Sequence, residues 1–161
     1  MNDNALTRYR ALECLSYDAS TGAFMWIAGK RKGQAAGCLN GVSGYVQISI
    51  DGVSYKAHRI AWLIEHGEWP AAMIDHVNGV RNDNRIENLR AATAKTNSEN
   101  RRFPSSGTAA EKLGVTFRNK KWQARITIDS VVCHIGTFDT CDEAFDAYLA
   151  VKRRVHEGCT L

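Results

Sequence analysis

Residues 74–100 read IDHVNGVRNDNRIENLRAATAKTNSEN, and this stretch decides what kind of domain the chain builds. It begins with a short apolar segment that predicts a strand, followed by a loop too rich in Asn, Asp and Gly to pack as a regular element. Residues 89–92, LRAA, predict a second strand. Thr93 is a suitable N-cap for a helix over AKTNSENRR. The predicted order is therefore strand, polar loop, strand, helix.

The first of these strands carries Asp75 and His76 side by side. Hydrolysis of a phosphodiester needs a base to activate water and a hard cation to stabilise negative charge. Neighbouring side chains of a strand point to opposite sides, so the two residues would have separate roles. Oxygens of Asp75 and Asn97 could hold Mg²⁺, with water and phosphate oxygens completing its shell. The His76 imidazole, which titrates near neutral pH, could then accept a proton from water.

This stretch, together with YKAHRIAWLIEHGEWP at residues 55–70, resembles the HNH endonucleases, ββα-metal nucleases that include many phage and intron-encoded homing enzymes. The resemblance implies that His76 is the general base and that Asp75 and Asn97 are metal ligands. It also implies that Asn88 ties the loop between the strands to the backbone. Asn97 stands where many members have His, so the pattern is H-N-N. This favours an oxygen-loving cation, Mg²⁺ with Mn²⁺ able to substitute, and no structural zinc is expected.

Other residues near this motif have two interpretations. His58 matches a recurring segment of the family, where we expect it to orient helix and hairpin; a catalytic role is the alternative. Four arginines could contact phosphates near the cut, although each could equally be a solvated side chain: Arg59, Arg81, Arg85 and Arg90.

Upstream residues predict a scaffold for the motif. Apolar side chains at helical spacing in LTRYRALECLSY, residues 6–17, predict a helix, and DASTGAFMWI after it predicts a turn and a short strand. GYVQISIDGVSYK, residues 44–56, alternates and contains Asp51-Gly52, which predicts a hairpin with a tight turn. A helix should follow, with an apolar stripe ending before Gly67.

The stretch RRFPSSGTAAEK interrupts all apolar periodicity and predicts a linker between two modules. We therefore expect an α+β protein in which an N-terminal ββα-metal nuclease module precedes a small three-stranded antiparallel sheet packed on one helix. The expected boundaries are a nuclease module over 1–102, comprising a scaffold over 1–44 and the hairpin, helix and motif over 45–102, a linker over 103–112, and a small domain over 113–161.

Residues 114–140, GVTFRNKKWQARITIDSVVCHIGTFDT, predict the three strands of that second module, and CDEAFDAYLAVKRRV predicts the helix that covers one face. By alternation Ala124 and Ile126 would meet the helix, so Arg125 and Thr127 would lie on the open face. That face would be basic and polar. The sheet is narrow enough to enter a major groove as a β-ribbon.

Residues 112–156 resemble the APETALA/ethylene-response-factor DNA-binding domain. The matching pieces are G-V-x-x-R, K-W-x-A-x-I and I-G-T-F-D-T-x-x-E-A-x-x-A-Y. Trp122 could contact DNA or, by parity with Ala124, pack inward. Several reading positions differ from the plant members, so their target sequence does not transfer. The resemblance implies DNA contacts from Arg118, Lys120, Trp122, Arg125, Thr127 and His134.

Composition is compatible with this interpretation. The net charge of +4 and the pI near 8.9 modestly favour binding of polyanions. The 5 cysteines are scattered without a C-x-x-C pair, which indicates reduced thiols rather than a zinc site. No stretch is apolar enough to cross a bilayer and no signal peptide is recognisable, so we expect a cytoplasmic protein, phage or mobile-element encoded in a bacterial host, with no membrane partner.

The function that the two resemblances imply is a site-specific, metal-dependent DNA endonuclease of the homing type that leaves 5′-phosphate and 3′-hydroxyl ends. Its partner would be double-stranded DNA. We expect a monomer or weak dimer. A monomer has one such site, so nicking of one strand is expected, and double-strand cutting would require a dimer or a second binding event. Two alternatives are a non-catalytic DNA-binding regulator that retains the nuclease scaffold, and an RNA nuclease. The latter is less suited to this chain because the second module lacks paired stacking aromatics for single strands.

Overall fold

The computed structural model describes residues 6–104 and 111–161, and its mixed helix and strand content confirms the predicted α+β class. The chain divides into two compact units, Met1–Thr93 and Ala94–Leu161. This division lies before the boundary expected from the sequence at 103–112. Residues 105–110 of that expected linker lie outside the described residues.

The first unit contains two helices and seven strands within its described residues. In chain order the elements are α1 (Arg8–Cys14), β1 (Leu15–Asp18), β2 (Ala23–Trp26), β3 (Cys38–Leu39), β4 (Val46–Ile50), β5 (Val53–Lys56), α2 (Ala57–His66), β6 (Met73–His76) and β7 (Leu89–Ala92). The strands pair in three small antiparallel sheets, β1 with β2, β4 between β3 and β5, and β6 with β7.

The predicted hairpin and the helix after it are confirmed. Asp51 and Gly52 connect β4 to β5 with φ of 50° and 79°, the left-handed conformation that a two-residue hairpin turn requires. Helix α2 then ends at Gly67, whose φ of 86° closes the last turn. This hairpin and helix form one continuous segment that leads directly into β6.

The core of the first unit lies between α2, α1 and the central sheet. Leu15, Ile48 and Ile60 are fully buried there, and each contributes about 1.5–3 kcal/mol relative to an exposed side chain. His58 lies in the first turn of α2, on its buried side, and is itself 4% exposed. The packing of α2 therefore carries a histidine into the interior beside β6.

The second unit contains a short helix, a three-stranded antiparallel sheet and a longer helix within its described residues. The elements are α3 (Ala94–Glu99), β8 (Val115–Arg118), β9 (Lys121–Ile128), β10 (Val131–Phe138) and α4 (Cys141–Val155). The strand order is β10, β9, β8, and α4 packs on one face of the sheet. Thr140 and Glu143 form a reciprocal capping box at the start of α4.

Hydrogen bonds from α4 and from the segment after it hold α3 and the residues that follow α3. The buried Lys152 ammonium donates to the Arg101 carbonyl at 2.6 Å, and the Gly158 N–H donates to the Glu99 carboxylate at 3.0 Å. The helix is 6 residues long, shorter than the AKTNSENRR segment predicted. None of the helices in the described ranges has the length and apolar character needed to span a bilayer.

Candidate active site

The strand pair β6 and β7 places Asp75 and His76 in the interior of the first unit. Asp75 lies opposite Arg90 and His76 lies opposite Leu89 in the antiparallel register. Both motif residues are buried, with 7% and 3% of their surface exposed. Burial of a carboxylate and an imidazole costs folding free energy unless each has hydrogen-bonding or charged partners. The surroundings of the two side chains therefore define the site.

Asp75 is paired with the arginine across the sheet. The Arg90 guanidinium donates from Nε at 3.1 Å and from Nη2 at 2.9 Å, both to the same carboxylate oxygen, Oδ2. The Asp75 side chain is 8% exposed and that of Arg90 is 29% exposed. A cation at this carboxylate would therefore share it with a guanidinium.

His76 has a different environment from its neighbour. Burial lowers the pKa of its imidazole below the ordinary value, while the polar side chain of Asn84 and the negative charge of Asp75 oppose that shift. Because the shift is downward, the ring is neutral at physiological pH. A neutral imidazole is the form that can accept a proton.

A second histidine and a tyrosine pack against His76. The His58 ring lies 5.0 Å from the His76 ring, nearly perpendicular to it, and the Tyr45 ring lies 5.1 Å from His58 and 5.8 Å from His76. Burial, followed by the charge of His76, lowers the pKa of His58 to about 3. His58 is therefore neutral and supports the position of His76 through ring packing.

Asn88 closes the loop between β6 and β7. Its side-chain Oδ1 accepts from the Asn78 N–H at 2.8 Å, and its Nδ2 donates to the Asp83 carbonyl at 2.8 Å. The Val77 N–H also donates to the Asn88 carbonyl at 2.8 Å. These bonds join the two ends of the loop, which is the tie that the resemblance implies for this residue.

The same loop is braced internally by an ion pair. The Arg85 guanidinium contacts both carboxylate oxygens of Asp83, at 2.9 and 2.8 Å, and reaches Glu87 at 2.7 Å. Hydrogen bonding from Arg85 lowers the pKa of Asp83 to about 2. In this conformation the Arg85 guanidinium contacts the loop's own carboxylates.

The hairpin of β1 and β2 supports the loop from outside. The Tyr17 hydroxyl donates to the Asn84 carbonyl at 2.7 Å, and the Ile86 N–H donates to the Ala19 carbonyl at 3.1 Å. Gly22 lies so close that an added Cβ would come within 2.5 Å of the Arg85 backbone nitrogen, and its φ is +74°. Only glycine fits there, so the predicted scaffold holds the loop of the candidate site.

Asn97, predicted as the second metal ligand, lies on α3 in the second unit. The oxygens of Asp75 and Asn97 are hard donors of the kind that Mg²⁺ prefers. No group of three or more His, Cys, Asp or Glu side chains in the described ranges could enclose a metal ion. Asp75 and Asn97 belong to different units, and their role as metal ligands stays a prediction.

The predicted DNA-contacting residues of the second unit share one face of its sheet, with one exception. Ala124 and Ile126 are buried against α4, whereas Arg125 and Thr127 between and beyond them are exposed. His134 pairs with Arg125 and lies on the same open face. Arg118 and Lys120 are exposed at the end of β8 and in the following turn.

Trp122 is the exception. It is half-buried, packs against the core of the second unit, and lies 4.9 Å from the Phe117 ring. This is the inward position that parity with Ala124 indicates. The structure therefore gives the indole a packing role, and the open face consists of the other five residues together with their polar neighbours.

Sequence reasoning missed Tyr45 and Asn84 as components of the site. Tyr45 precedes a strand, where an aromatic residue is typical of packing alone. Asn84 is one of several similar residues in the polar loop, yet it is 3% exposed beside His76. No local pattern separates these two from their neighbours.

Comparison with known proteins supplies a family for this site. Neither the curated proteins nor the solved structures include a match to the chain. Residues 55–99, which contain His58, β6, β7 and α3, match the HNH endonuclease family. The segment that builds the candidate site is therefore similar to HNH endonucleases, which supports a nuclease at the level of the family.

Proposed function

We propose that this protein is a site-specific, metal-dependent DNA endonuclease of the homing type, in which the first unit cuts and the second selects the DNA. One observation carries the proposal. A buried, neutral His76 stands next to Asp75 at the end of a short strand, inside a segment that matches the HNH endonucleases. This is the pair of groups that phosphodiester hydrolysis needs.

His76 is the general base. Its lowered pKa keeps the imidazole unprotonated at neutral pH, and its packing against His58 and Tyr45 limits the positions of the ring. It takes a proton from water, and the resulting nucleophile attacks phosphorus in line with the departing 3′ oxygen. The products are a 5′ phosphate and a 3′ hydroxyl. General-base catalysis of this kind contributes about 10²–10⁴-fold.

Asp75 and Asn97 are the proposed ligands of the metal ion. HNH nucleases generally use a divalent metal, and two oxygen ligands suit Mg²⁺, with Mn²⁺ as a substitute. When bound, such an ion stabilises the negative charge that develops on the phosphate and the departing oxygen. Asn88 holds the loop that joins the two strands, so it positions Asp75 and His76 without touching substrate.

The open face of β8, β9 and β10 is the proposed DNA reader, as the APETALA-type resemblance suggests. Arg125 at its centre donates to Gln123 at 2.8 Å, so the two polar side chains are presented together. Arginine bidentate to guanine is the commonest specific major-groove contact. Arg118 and Lys120 would bind phosphates and would add affinity without sequence choice.

A non-catalytic DNA-binding regulator is the second candidate, and one observation favours it. The Asp75 carboxylate already has a cationic partner in Arg90, which a metal ion must displace or share. If the ion pair persists, the fold would bind DNA without cutting it.

The test incubates the protein with supercoiled plasmid that carries a genomic library, in Mg²⁺, Mn²⁺ or chelator. Its outcome distinguishes the two candidate functions. The nuclease proposal expects metal-dependent nicks at defined sequences and loss of nicking in His76→Ala. The matched control is His66→Ala, which removes an exposed histidine of α2 and should leave nicking unchanged. Circular dichroism verifies that both variants fold. Binding without nicking in any metal would instead establish the regulator.

A further inference from the structure

Two of the four arginines predicted to contact phosphates near the cut are held by carboxylates. Arg90 is bound to Asp75, and Arg85 is bound to Asp83 and Glu87. To contact a phosphate, either guanidinium would have to share or break an ion pair. The phosphate next to His76 therefore needs other cations.

Two other cations lie beside the candidate site over a single aromatic ring. The Lys56 ammonium is 4.5 Å from the centroid of the Tyr45 ring, and the Arg81 guanidinium carbon is 5.2 Å from it. Lys56 is the last residue of β5, and Arg81 lies in the loop between β6 and β7. Within residues 6–104 and 111–161, neither forms an ion pair with a carboxylate.

The ring beneath these cations is the one that packs on the two histidines. Tyr45 therefore lies close both to the cations of Lys56 and Arg81 and to the His76 ring.

The arrangement is preorganised. Cation–π contacts favour one position of a lysine or arginine side chain without neutralising its charge. Arg81 is held further because its Nη1 donates to the Ser43 carbonyl at 2.9 Å. Both side chains thus keep a defined position and a full positive charge, which is what an incoming phosphate requires.

We propose that Tyr45, Lys56 and Arg81 form a phosphate-binding shelf that seats the DNA backbone beside His76. This inference rests on the proposed function, because it names the substrate group bound at the same site. Tyr45 and Arg81 orient the shelf relative to His76, the general base. The two cations neutralise adjacent phosphates of the duplex. Tyr45 lies outside the segment that matches the HNH endonucleases, so this chain supplies the shelf partly from its own hairpin.

The test measures binding of duplex DNA in chelator, where nothing is cut, as a function of salt concentration. The double variant K56Q/R81Q is compared with R31Q/K32Q, which removes the same charge from the first unit. Arg31 is a matched control because its guanidinium also stacks on an aromatic ring, at 4.1 Å from the Trp26 centroid. Thermal unfolding verifies that both double variants are folded, and the single variants K56Q and R81Q replace the double if it is not.

Each phosphate contact contributes about 0.9 to the slope of log affinity against log salt. The slope should therefore fall by about 1.8 in K56Q/R81Q, by about 0.9 in each single variant, and not at all in R31Q/K32Q. K56R/R81K should keep the wild-type slope because it keeps both charges. An unchanged slope in K56Q/R81Q, an equal fall in R31Q/K32Q, or no DNA binding by the wild type would overturn the shelf.

Nicking of supercoiled DNA distinguishes failure of the shelf from failure of the proposed function. If the wild type does not nick in any metal but the slope falls as expected, the shelf stands and the nuclease proposal fails. If the wild type nicks and the slope does not change, the nuclease proposal stands and the shelf fails.

Discussion

Asp75 and Arg90 face each other across β6 and β7, and two N–H groups of the guanidinium donate to one oxygen of the buried carboxylate. The proposed metal ligand is therefore already neutralised by a cation from its own sheet. This relationship makes the ion pair and the metal ion competitors, and competition has measurable consequences.

Arg90→Gln should lower the free energy of unfolding in chelator by about 2–3 kcal/mol. Breaking a fully buried ion pair costs about 3–5 kcal/mol. The loss expected here is smaller because Arg90 is partly exposed. Added Mg²⁺ should restore part of the loss, since the ion replaces the missing cation. Urea unfolding with and without Mg²⁺ measures both effects. Arg85→Gln is the control and should show no recovery; Mg²⁺-independent stability of Arg90→Gln would contradict Asp75 as a ligand.

His58 should make folding sensitive to acid. Its pKa is about 3 in the folded protein and near its ordinary value of 6.5 when unfolded, so the unfolded chain takes up a proton first as pH falls. The stability linked to the neutral ring is complete above pH 6.5 and declines as pH falls toward 3.

His58→Phe keeps a ring of similar size and removes this titration. Between pH 7 and pH 5 the wild type should lose about 2 kcal/mol more unfolding free energy than His58→Phe. Urea unfolding at the two pH values measures the difference. His66→Phe, at an exposed position of the same helix, should behave as the wild type does. Equal losses in wild type and His58→Phe would show that His58 is not buried as a neutral ring.

Asn88→Ala should destabilise the loop of the candidate site. It leaves the Asn78 N–H and the Asp83 carbonyl without their side-chain partner, and each such group costs about 1–3 kcal/mol when buried. We expect a loss of about 2–4 kcal/mol by urea unfolding, and loss of nicking. Asn82→Ala, at an exposed position in the same loop, should change stability by no more than about 0.5 kcal/mol. A similar, small effect of both variants would contradict the tie.

Arg125→Gln should reduce discrimination between target and mismatched DNA by about 1–3 kcal/mol, the contribution of one bidentate contact to guanine. Competition binding with matched and randomised duplexes in chelator measures it. Arg154→Gln removes the same charge from an exposed position of α4, on the element that covers the other face of the sheet, and should leave discrimination unchanged. If the two variants lose discrimination equally, the open face is not the reader.

Local sequence pattern predicted the secondary structure around the site because turns and helix stripes depend on residues close in the chain. Asp51-Gly52 supplies the left-handed turn of the hairpin, and the apolar stripe of α2 ends where Gly67 allows it to end. The helix after β7 was predicted too long, since polar residues with adequate helix propensity do not mark where α3 stops.

The sequence by itself determined that Asp75 and His76 are adjacent, that they lie on a short strand and that a polar loop follows them. These features also predicted the type of chemistry. The packing of His58 and Tyr45 on His76 was decided only by the tertiary structure. So was the pairing of Asp75 with Arg90 and the seating of Lys56 and Arg81 over Tyr45. The physical reason is that periodicity encodes which face a residue occupies along its own element, whereas these contacts join different elements and exist only once those elements have packed.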